Sequence, residues 1–355
     1  MSIRQTGQLS LADALAQQPG RLNETLERVH NLIDWGQIDS LLAPLRSSRY
    51  GAPGYPPLLM LKAQLLQQWY CLSDPGLEEA LFDRLSFRRF VGLALGETSP
   101  DHSTISRFRS ALVAQGLSEA VFEAVNLQID AKGLILRQGT IIDATLVEAH
   151  VKRPKKPKED KKAAMEEPPS DQAPSQNETK TETAPPPEGQ RPASKLILSL
   201  TDPEASWAKK GYTRYFGYKG HVAVDQGSGI IRRCIFTTAS VADTTMGDAL
   251  IMGDERALYA DKAYDTKARR AALKAAGAKD RIAHRPNKHH PLSKRQEQRN
   301  DGISFRRAPV ERVFAIAKRL MGWRRVRYIG LARNAGHFDL LCTAINLKRL
   351  VVLST

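Results

Sequence analysis

The stretch GTIIDATLVEA (139–149) decides the fold, because it is a β-rich run that carries an acidic residue, Asp143, directly after two isoleucines. Further β-rich runs occur at 211–225 and 229–239, which predict a hairpin, at 256–261 and at 280–286. Helical patterns lie near 244–252, at 266–277 and after the last strand. The order β-β-β-α-β-α-β-α predicts an α/β fold, with a mixed sheet and helices on its faces.

Three acidic residues occupy the ends of these predicted elements. Asp143 lies in the first strand, Asp261 ends the strand RALYAD, and Glu311 opens the helix VERVFAIAKR. If the first and fourth strands are neighbours, the three carboxylates converge at one edge of the sheet. Carboxylates are hard oxygen ligands, and a cluster of them is what two divalent cations need to promote attack on a phosphodiester. The three residues are therefore the candidate catalytic and metal-binding set.

Each of the three acids alone also has an ordinary structural explanation. A carboxylate near a strand end, as at Asp143, can be satisfied by backbone amides, and Asp261 stands where a helix cap is favoured. Most glutamates in helices, such as Glu311, make only a surface pair with a neighbour. Their joint order along the chain and the basic residues beside Glu311 favour the catalytic interpretation.

Two basic residues accompany Glu311. Arg307 stands four residues before it and Lys318 seven residues after it. On one helix these three positions fall on nearly the same face. Cations beside a catalytic carboxylate suit the phosphates of DNA, so we predict that Arg307 and Lys318 contact DNA.

The charge of the chain restricts its partners. Its 355 residues contain 53 Lys and Arg against 38 Asp and Glu, which gives a net charge of +15 and a pI near 9.8. This balance favours a polyanion such as double-stranded DNA, although a generic basic surface would give the same count. The three cysteines match no zinc spacing, and no stretch approaches the length of a membrane span. We therefore expect a cytoplasmic, nucleoid-associated protein without membrane contact.

The chain divides into three parts. Residues 1–135 predict a helical domain, residues 136–151 and 196–355 contain the predicted sheet, and residues 152–195 interrupt the sheet region. The interrupting segment has no Val, Ile, Leu, Phe, Tyr or Trp, so it cannot bury enough apolar surface to offset the entropy of ordering it. We expect a disordered insertion, whose run KRPKKPKEDKK is a solvated linker or, alternatively, touches DNA.

The helix HSTISRFRSALVAQ (102–115) is the candidate DNA-reading element of the helical part. Its apolar residues form a stripe at helical spacing, and small or basic residues occupy the other positions near its start. The outward-facing residues are predicted DNA contacts: Ser103, Thr104, Arg107 and Arg109. A turn followed by such a helix is typical of helix-turn-helix proteins that read a major groove, although many helical bundles contain the same corner.

The stretch MGWRRVRYIGLARN (321–334) interleaves arginines with aromatic rings. Arginines suit backbone phosphates and a planar ring can stack on a displaced base. Further DNA contacts are therefore predicted at Trp323, Arg324, Arg325 and Arg327. The alternative is a helix end whose tryptophan packs on the sheet while the arginines stay solvated.

Two smaller groups have open interpretations. A basic loop before the helix of Glu311 contains Lys288, His289 and His290. Its histidines could bind a metal ion, but side chains of such loops more often contact phosphate or water. Lys219 and His221 lie on a central strand and form either a structural pair or part of the site.

Several motifs together resemble those of a known family. LLMLKAQLLQQWYCLSD, PDHSTISRFR, GTIIDATLVEA, GYKGHVAVD, YADKAYD and VERVFAIAKR resemble the DDE transposases of bacterial insertion sequences, most of all the group named after insertion sequence five. In related transposases the third acid lies in a helix signature of Tyr, Arg, Glu and Lys, separated by two, three and six residues. Arg307, Glu311 and Lys318 match this spacing, whereas Ser304 stands at the tyrosine position.

The resemblance implies an RNase H-like catalytic domain that binds two Mg²⁺ ions, for which Mn²⁺ substitutes, at the three acids. It also implies that the helical domain binds the terminal inverted repeats of the element. The expected reaction is hydrolytic nicking at the element end, followed by attack of the freed 3′-hydroxyl on target DNA. A homodimer is expected because two ends must be handled together. A non-catalytic DNA-binding regulator and an RNase H-like nuclease without strand transfer remain as alternatives.

Overall fold

The first part of the chain is helical, as predicted. The computed structural model describes residues 3–8, 23–45, 54–151, 199–286 and 291–355, so the predicted insertion at 152–195 and the loop residues Lys288, His289 and His290 lie outside the described residues. The helices of this part are α1 (Glu24–Leu32), α2 (Trp35–Leu41), α3 (Pro57–Trp69), α4 (Asp74–Asp83), α5 (Leu85–Val91), α6 (His102–Ala114) and α7 (Leu117–Ala131). Side-chain oxygens of Asn23, Asp34, Ser73 and Asp101 cap α1, α2, α4 and α6. These caps satisfy amides that have no partner within the helix.

The second part combines strands with helices. The strands are β1 (Thr140–Glu148), β2 (Ser206–Lys210), β3 (Thr213–Asp225), β4 (Ile231–Thr238), β5 (Ala257–Ala260) and β6 (Lys279–Ile282). The helices are α8 (Asp243–Met246), α9 (Lys267–Ala275), α10 (Lys294–Arg306), α11 (Ala308–Ala315) and α12 (Leu331–Leu353). Short 3₁₀ turns occur at Asp248–Leu250 and Lys262–Tyr264, and a π-helical turn at Ile316–Leu320. The strand β2 was not predicted, because its two lysines are exposed and hide the usual alternation.

The six described strands form one mixed sheet. β3 is antiparallel to β1, β2 and β4, whereas β5 is parallel to both β1 and β6. The first and the fifth strand are therefore neighbours, although a long stretch of sequence separates them. The predicted fold class, an α/β RNase H-like domain preceded by an all-α region, is confirmed, and the helix-turn-helix type of that region stays a prediction.

The helical part and the sheet share one core. Successive strand residues point to opposite faces, so Ile141 enters the larger core and Ile142 a smaller one on the other face. The larger core continues from the sheet into the helical part because α12 packs against β4 and also against α1, α3, α6 and α7. Within the described ranges, no helix combines the length and the apolar character that a membrane crossing requires.

Candidate active site

Two aspartates lie level with each other on neighbouring parallel strands. Asp143 is part of β1, and Asp261 directly follows β5. The two strands pair Thr140 with Leu258 and Ile141 with Tyr259, so the same register, continued by two residues, sets Asp143 opposite Asp261. Level residues of adjacent parallel strands lie about 4.8 Å apart and point to the same face. Since β5 ends here while β1 continues, the pair lies at an open end of the sheet.

Asp143 is held by two donors in a part-buried position. Its Oδ2 accepts a hydrogen bond from the Arg307 guanidinium at 2.8 Å, and its Oδ1 accepts one from the backbone N–H of Ala144 at 2.9 Å. Burial raises the pKa of the Asp143 carboxyl, Arg307 opposes this rise, and the negative charges of Asp261 and Asp243 add to it. The strand register, which sets Asp261 opposite Asp143, accounts for the contribution of Asp261.

Asp261 caps a short turn and also lines a basic cleft. Its Oδ1 accepts the backbone N–H of Lys262 at 2.6 Å, so it begins the 3₁₀ turn Lys262–Tyr264. The capping explanation for this residue is therefore correct locally. The cleft beside it has a volume of about 410 Å³ and is also lined by Lys219, Asp243, Lys262 and Arg285. Three cations beside two acids give the cleft an excess of positive charge, which is suited to a phosphate.

Glu311, the third predicted acid, lies on α11 and is exposed. Its neighbour Val310 is buried in the larger core, and one residue further along a helix is rotated by about 100°, which turns Glu311 toward solvent. Among the described residues, no group of three or more His, Cys, Asp or Glu side chains is gathered to hold a metal ion. The structure brings Asp143 and Asp261 together, whereas Glu311 is exposed on α11, four residues after the arginine that contacts Asp143.

Arg307, Glu311 and Lys318 do not lie on one continuous α-helix, contrary to the prediction. α10 ends before Arg307 and α11 begins after it, because Pro309 lacks the N–H that an unbroken helix requires. Lys318 lies beyond the end of α11, in the π-helical turn. The break sets Arg307 at a junction of two helices, where its side chain reaches the sheet.

The two basic residues bind β1 instead of projecting freely toward DNA. Arg307 pairs with Asp143, and the Lys318 ammonium donates to Thr145 Oγ1 at 2.6 Å and to the carbonyl of Leu146 at 2.9 Å. Burial lowers the pKa of Lys318. Both residues hold the segment around Glu311 against β1, so their predicted DNA contacts would require these bonds to be exchanged.

The start of α6 presents three of the predicted DNA contacts together. Asp101 caps the helix by accepting the backbone N–H of Thr104 at 2.6 Å. Ser103 and Arg107 are exposed and Thr104 is half-buried. The Arg107 guanidinium donates to Thr104 Oγ1 at 3.1 Å. These side chains form one polar, basic patch at the end of a helix.

Arg109 does not belong to this patch, and its predicted outward orientation is wrong. It is 7% exposed and forms an ion pair with Asp74 of α4. Its guanidinium also lies 4.8 Å from the centre of the Tyr328 ring. Ile105, Arg109 and Leu112 are spaced by four and three residues, so they share the buried face of α6. An arginine is tolerated on this face because Asp74 supplies the opposite charge.

Arg109→Ala is expected to destabilise the fold by about 2–3 kcal/mol, because it leaves Asp74 without its cation. Loss of one partner of a fully buried pair costs about 3–5 kcal/mol, and the effect is smaller here because the Asp74 side chain is 24% exposed. Chemical denaturation measures the change, with Arg107→Ala as the exposed control on the same helix. An unchanged unfolding midpoint combined with weaker DNA binding would restore Arg109 as a DNA contact.

Trp323 is a core residue, so the prediction that it stacks on a base is wrong. It is 1% exposed, and its ring stacks on Phe338 with centroids 4.8 Å apart and planes 16° apart. Gly220 of β3 makes room for the ring, since a Cβ there would lie 2.6 Å from it. The alternative interpretation, a tryptophan that packs on the sheet, is the correct one.

The arginines around Trp323 differ in their exposure. Arg324 and Arg325 are exposed, and Arg325 lies 3.6 Å from Glu148 in a solvated pair. Arg327 is half-buried and donates to the carbonyl of Leu72 at 2.8 Å. Arg324 and Arg325 are thus accessible to a phosphate, whereas Arg327 links this segment to the helical part.

Lys219 and His221 are not paired with each other. Lys219 lies 2.7 Å from Asp243, while His221 Nε2 lies 2.9 Å from Thr237 Oγ1. Burial lowers the pKa of His221 to about 4, so the ring is neutral at physiological pH. Sequence reasoning missed Asp243, although it shares one signal with Asp261: each acid stands where a helical turn begins after a strand.

Comparison with known families identifies the class of the protein. Residues 135–347 match the family described as "Transposase DDE domain", and residues 14–111 match "Transposase domain (DUF772)". The first match spans the sheet and most of α12, and it covers the greater part of the chain. The chain therefore belongs to the DDE transposases of insertion sequences, as the motifs suggested. No solved structure matches the chain.

Proposed function

We propose that this transposase binds the terminal inverted repeats of its element and catalyses DNA strand cleavage followed by strand transfer. The observation that best supports catalysis is the level placement of Asp143 and Asp261 at the open end of a DDE-domain sheet. Arg307 adds support, because it compensates the charge of Asp143 where burial would otherwise favour the neutral acid.

The donor chemistry of the site fits a hard divalent cation. Carboxylate oxygens of Asp143 and Asp261 would hold Mg²⁺, or Mn²⁺ in its place, and Glu311 would join them from the neighbouring helix. Two such ions would supply activation of the attacking oxygen and stabilisation of the leaving oxygen in the displacement at phosphorus. A part-buried carboxylate attracts a cation more strongly than an exposed one, because solvent screens it less.

Other residues of the chain would orient the site and the substrate. Arg307 fixes the rotamer of Asp143, and Lys318 holds the helical segment that carries Glu311 against β1. Lys262 and Arg285 line the cleft beside Asp261, where they would attract the scissile phosphate. The described residues that line the cleft include no cysteine or serine, in keeping with water or a DNA hydroxyl as the attacking group.

The direct test uses duplex DNA that carries the inverted repeats flanking the gene. Full-length protein with Mg²⁺ should nick this DNA at the element ends and join the freed 3′ ends to target DNA. Cut products without joined products would favour an RNase H-like nuclease. No products with Mg²⁺ or Mn²⁺, despite intact end binding, would favour the non-catalytic regulator, the second candidate that the exposed position of Glu311 supports.

Arg107→Ala should weaken binding to the element ends without loss of stability, because Arg107 is the exposed cation of the α6 patch. Log affinity falls as log salt concentration rises, and removal of one phosphate contact makes this slope shallower by about 1. Fluorescence anisotropy at several salt concentrations measures both quantities. Ser110→Ala, exposed on the same helix, is the matched control. Equal affinities and slopes for wild type and Arg107→Ala would show that α6 does not bind the DNA.

The proposed reaction also suggests the assembly and the location of the protein. Two element ends must be cut and joined together, so we expect a homodimer on the DNA. The positive net charge of +15 would add a sequence-independent attraction to chromosomal DNA, in keeping with a nucleoid-associated protein of the cytoplasm.

A further inference from the structure

A β-hairpin extends beyond the rest of the sheet. It consists of β2 and the first residues of β3, and its pairing runs from Ser206 with Gly217 to Lys210 with Thr213. β1 and β4 pair with β3 no earlier than Gly217, so the preceding residues of β3 have β2 as their one neighbour among the described strands. The hairpin therefore projects past the end of β1, and Tyr212 lies in its turn.

The tip of this hairpin is basic and has an exposed aromatic ring. The sequence WAKKGYTRYF (207–216) contains two lysines and one arginine but no Asp or Glu. The side chains of Lys209, Lys210 and Arg214 are exposed, and within the part of the chain that the structure describes they form no ion pair. Tyr212 is fully exposed. Its ring adds nothing to the core, so it is available to a partner.

Two of the cations lie directly opposite each other. Lys209 pairs with Arg214 across the hairpin. The side chains of such a pair project from the same face of a sheet, and like charges at this spacing repel each other. A phosphate beside both side chains would relieve the repulsion, because it supplies the opposite charge. The pair is therefore better suited to a bound polyanion than to the unbound protein.

These two cations share a face of the sheet with Asp143. Asp143 pairs with Val222 of β3, and Arg214 lies eight residues before Val222 on the same strand. An even separation keeps strand residues on one face, so Lys209 and Arg214 project on the side that carries Asp143. At about 3.4 Å per residue, Arg214 lies at most about 27 Å from the level of Asp143. This length corresponds to about eight base pairs of duplex DNA, which rises about 3.4 Å per base pair.

Other exposed cations adjoin the base of the hairpin. The carbonyl of Arg324 accepts the backbone N–H of Glu148 at 3.2 Å, so Arg324 and Arg325 lie at the end of β1. Glu148 is also the partner of Gly217, from which the hairpin extends. Both arginines are exposed. The two segments therefore flank the last residue of β1 and form one basic surface.

We propose that the β2–β3 hairpin binds duplex DNA about eight base pairs from the cleavage position, with Lys209 and Arg214 on phosphates and Tyr212 against base edges. The inference rests on the proposed function, since this DNA is the substrate of the same site. A two-stranded β-ribbon fits the major groove, which is about 12 Å wide. The alternative is an edge strand whose lysines only prevent pairing with other sheets. In that case the hairpin would contribute nothing to the affinity for DNA.

Fluorescence anisotropy with an element-end duplex and the full-length protein tests this contact. Log affinity falls as log salt concentration rises, and Lys209→Ala combined with Arg214→Ala should make this slope shallower by about 2, one for each phosphate contact. Tyr212→Ala should lower the affinity about tenfold at fixed salt and leave the slope unchanged, because tyrosine carries no charge. Lys274→Ala removes an exposed cation from α9, which packs on β6 at the opposite edge of the sheet, and should behave as wild type.

The length of the duplex locates the contact. Duplexes are shortened stepwise on either side of the element end. The difference between wild type and the double variant should vanish once one of the two sides is shorter than about eight base pairs. A difference that persists at every length overturns the proposal, because the contact would then lie elsewhere. Wild-type affinity and slope in the double variant overturn it as well.

The readout is binding, so it separates this inference from the catalysis on which it rests. Absent nicking would overturn the proposed reaction without changing the binding result, whereas a wild-type protein that does not bind the duplex overturns both. Circular dichroism checks the fold of each variant. If the double variant does not fold, Lys209→Glu decides, because an acid opposite Arg214 favours the hairpin. Weaker DNA binding by this variant supports the proposal, and equal binding overturns it.

Discussion

Asp143→Asn should lower the rate of strand cleavage at an element end by a factor on the order of 10³ or more. The amide keeps the shape of the side chain but carries no charge, so the cation loses the ligand that β1 sets level with Asp261. Arg307, which donates to Asp143 Oδ2 at 2.8 Å, is left without the charge it compensates. Nicking of an end-labelled duplex by the full-length protein in Mg²⁺ measures the effect.

Binding to the element end should persist in Asp143→Asn. It should even tighten slightly, because one charge that repels phosphates is gone. Asp301→Asn removes the same charge from an exposed position on α10 and should cleave at the wild-type rate. If Asp143→Asn also cleaves at that rate, Asp143 is not catalytic and the capping of its carboxylate by Ala144 and Arg307 is only structural.

The same assay applied to Asp261→Asn and Glu311→Gln tests the rest of the predicted set. Glu311 is the most informative member, because it is exposed while the two aspartates lie together. A large loss of cleavage in Glu311→Gln would mean that α11 turns inward when DNA and cations are bound. Wild-type cleavage would leave Asp143 and Asp261 as the acids of the site.

Five of the six described strands, and the positions of Asp143 in one and Asp261 directly after another, could be predicted because they follow from local pattern. Asp143 follows two β-branched isoleucines and Asp261 ends the short apolar run ALYA, and the alternating order of elements predicts a mixed sheet. The pairing of β1 with β5 could be expected only from the order of elements and from the resemblance to a family. Local sequence does not encode which distant strands pair.

The features that could not be predicted depend on contacts between distant residues. Arg109 fits both an exposed basic face and the buried stripe of α6, and only the carboxylate of Asp74 decides between them. The single helix predicted through Glu311 overlooked Pro309, which ends the hydrogen-bond ladder between α10 and α11. Asp243 carries no motif of its own, and it lines the cleft with Asp261 only because α8 packs beside the turn that Asp261 caps.

Trp323→Ala should destabilise the protein by about 3–5 kcal/mol, the usual cost of truncating a large buried aromatic residue. The ring stacks on Phe338 of α12 and lies 6.2 Å from the ring of Phe236 on β4. It also covers Gly220, whose missing side chain leaves the space that the ring fills. Alanine would open a cavity between β3 and α12 that neighbouring rings cannot fill, because they pack against the sheet. Urea denaturation followed by circular dichroism measures the loss.

Because α12 extends the core of the sheet into the helical part, the cavity should lower the stability of both parts in one transition. Arg324→Ala, the exposed neighbour of Trp323, should show the opposite pattern, with weaker DNA binding and an unchanged unfolding midpoint. The two variants separate a core role from a DNA contact within adjacent residues. A Trp323→Ala protein of full stability that binds DNA poorly would mean that the ring leaves the core to reach a base. A ring that leaves the core leaves the same cavity behind, so this arrangement would cost about 3–5 kcal/mol that its contact with the base must offset.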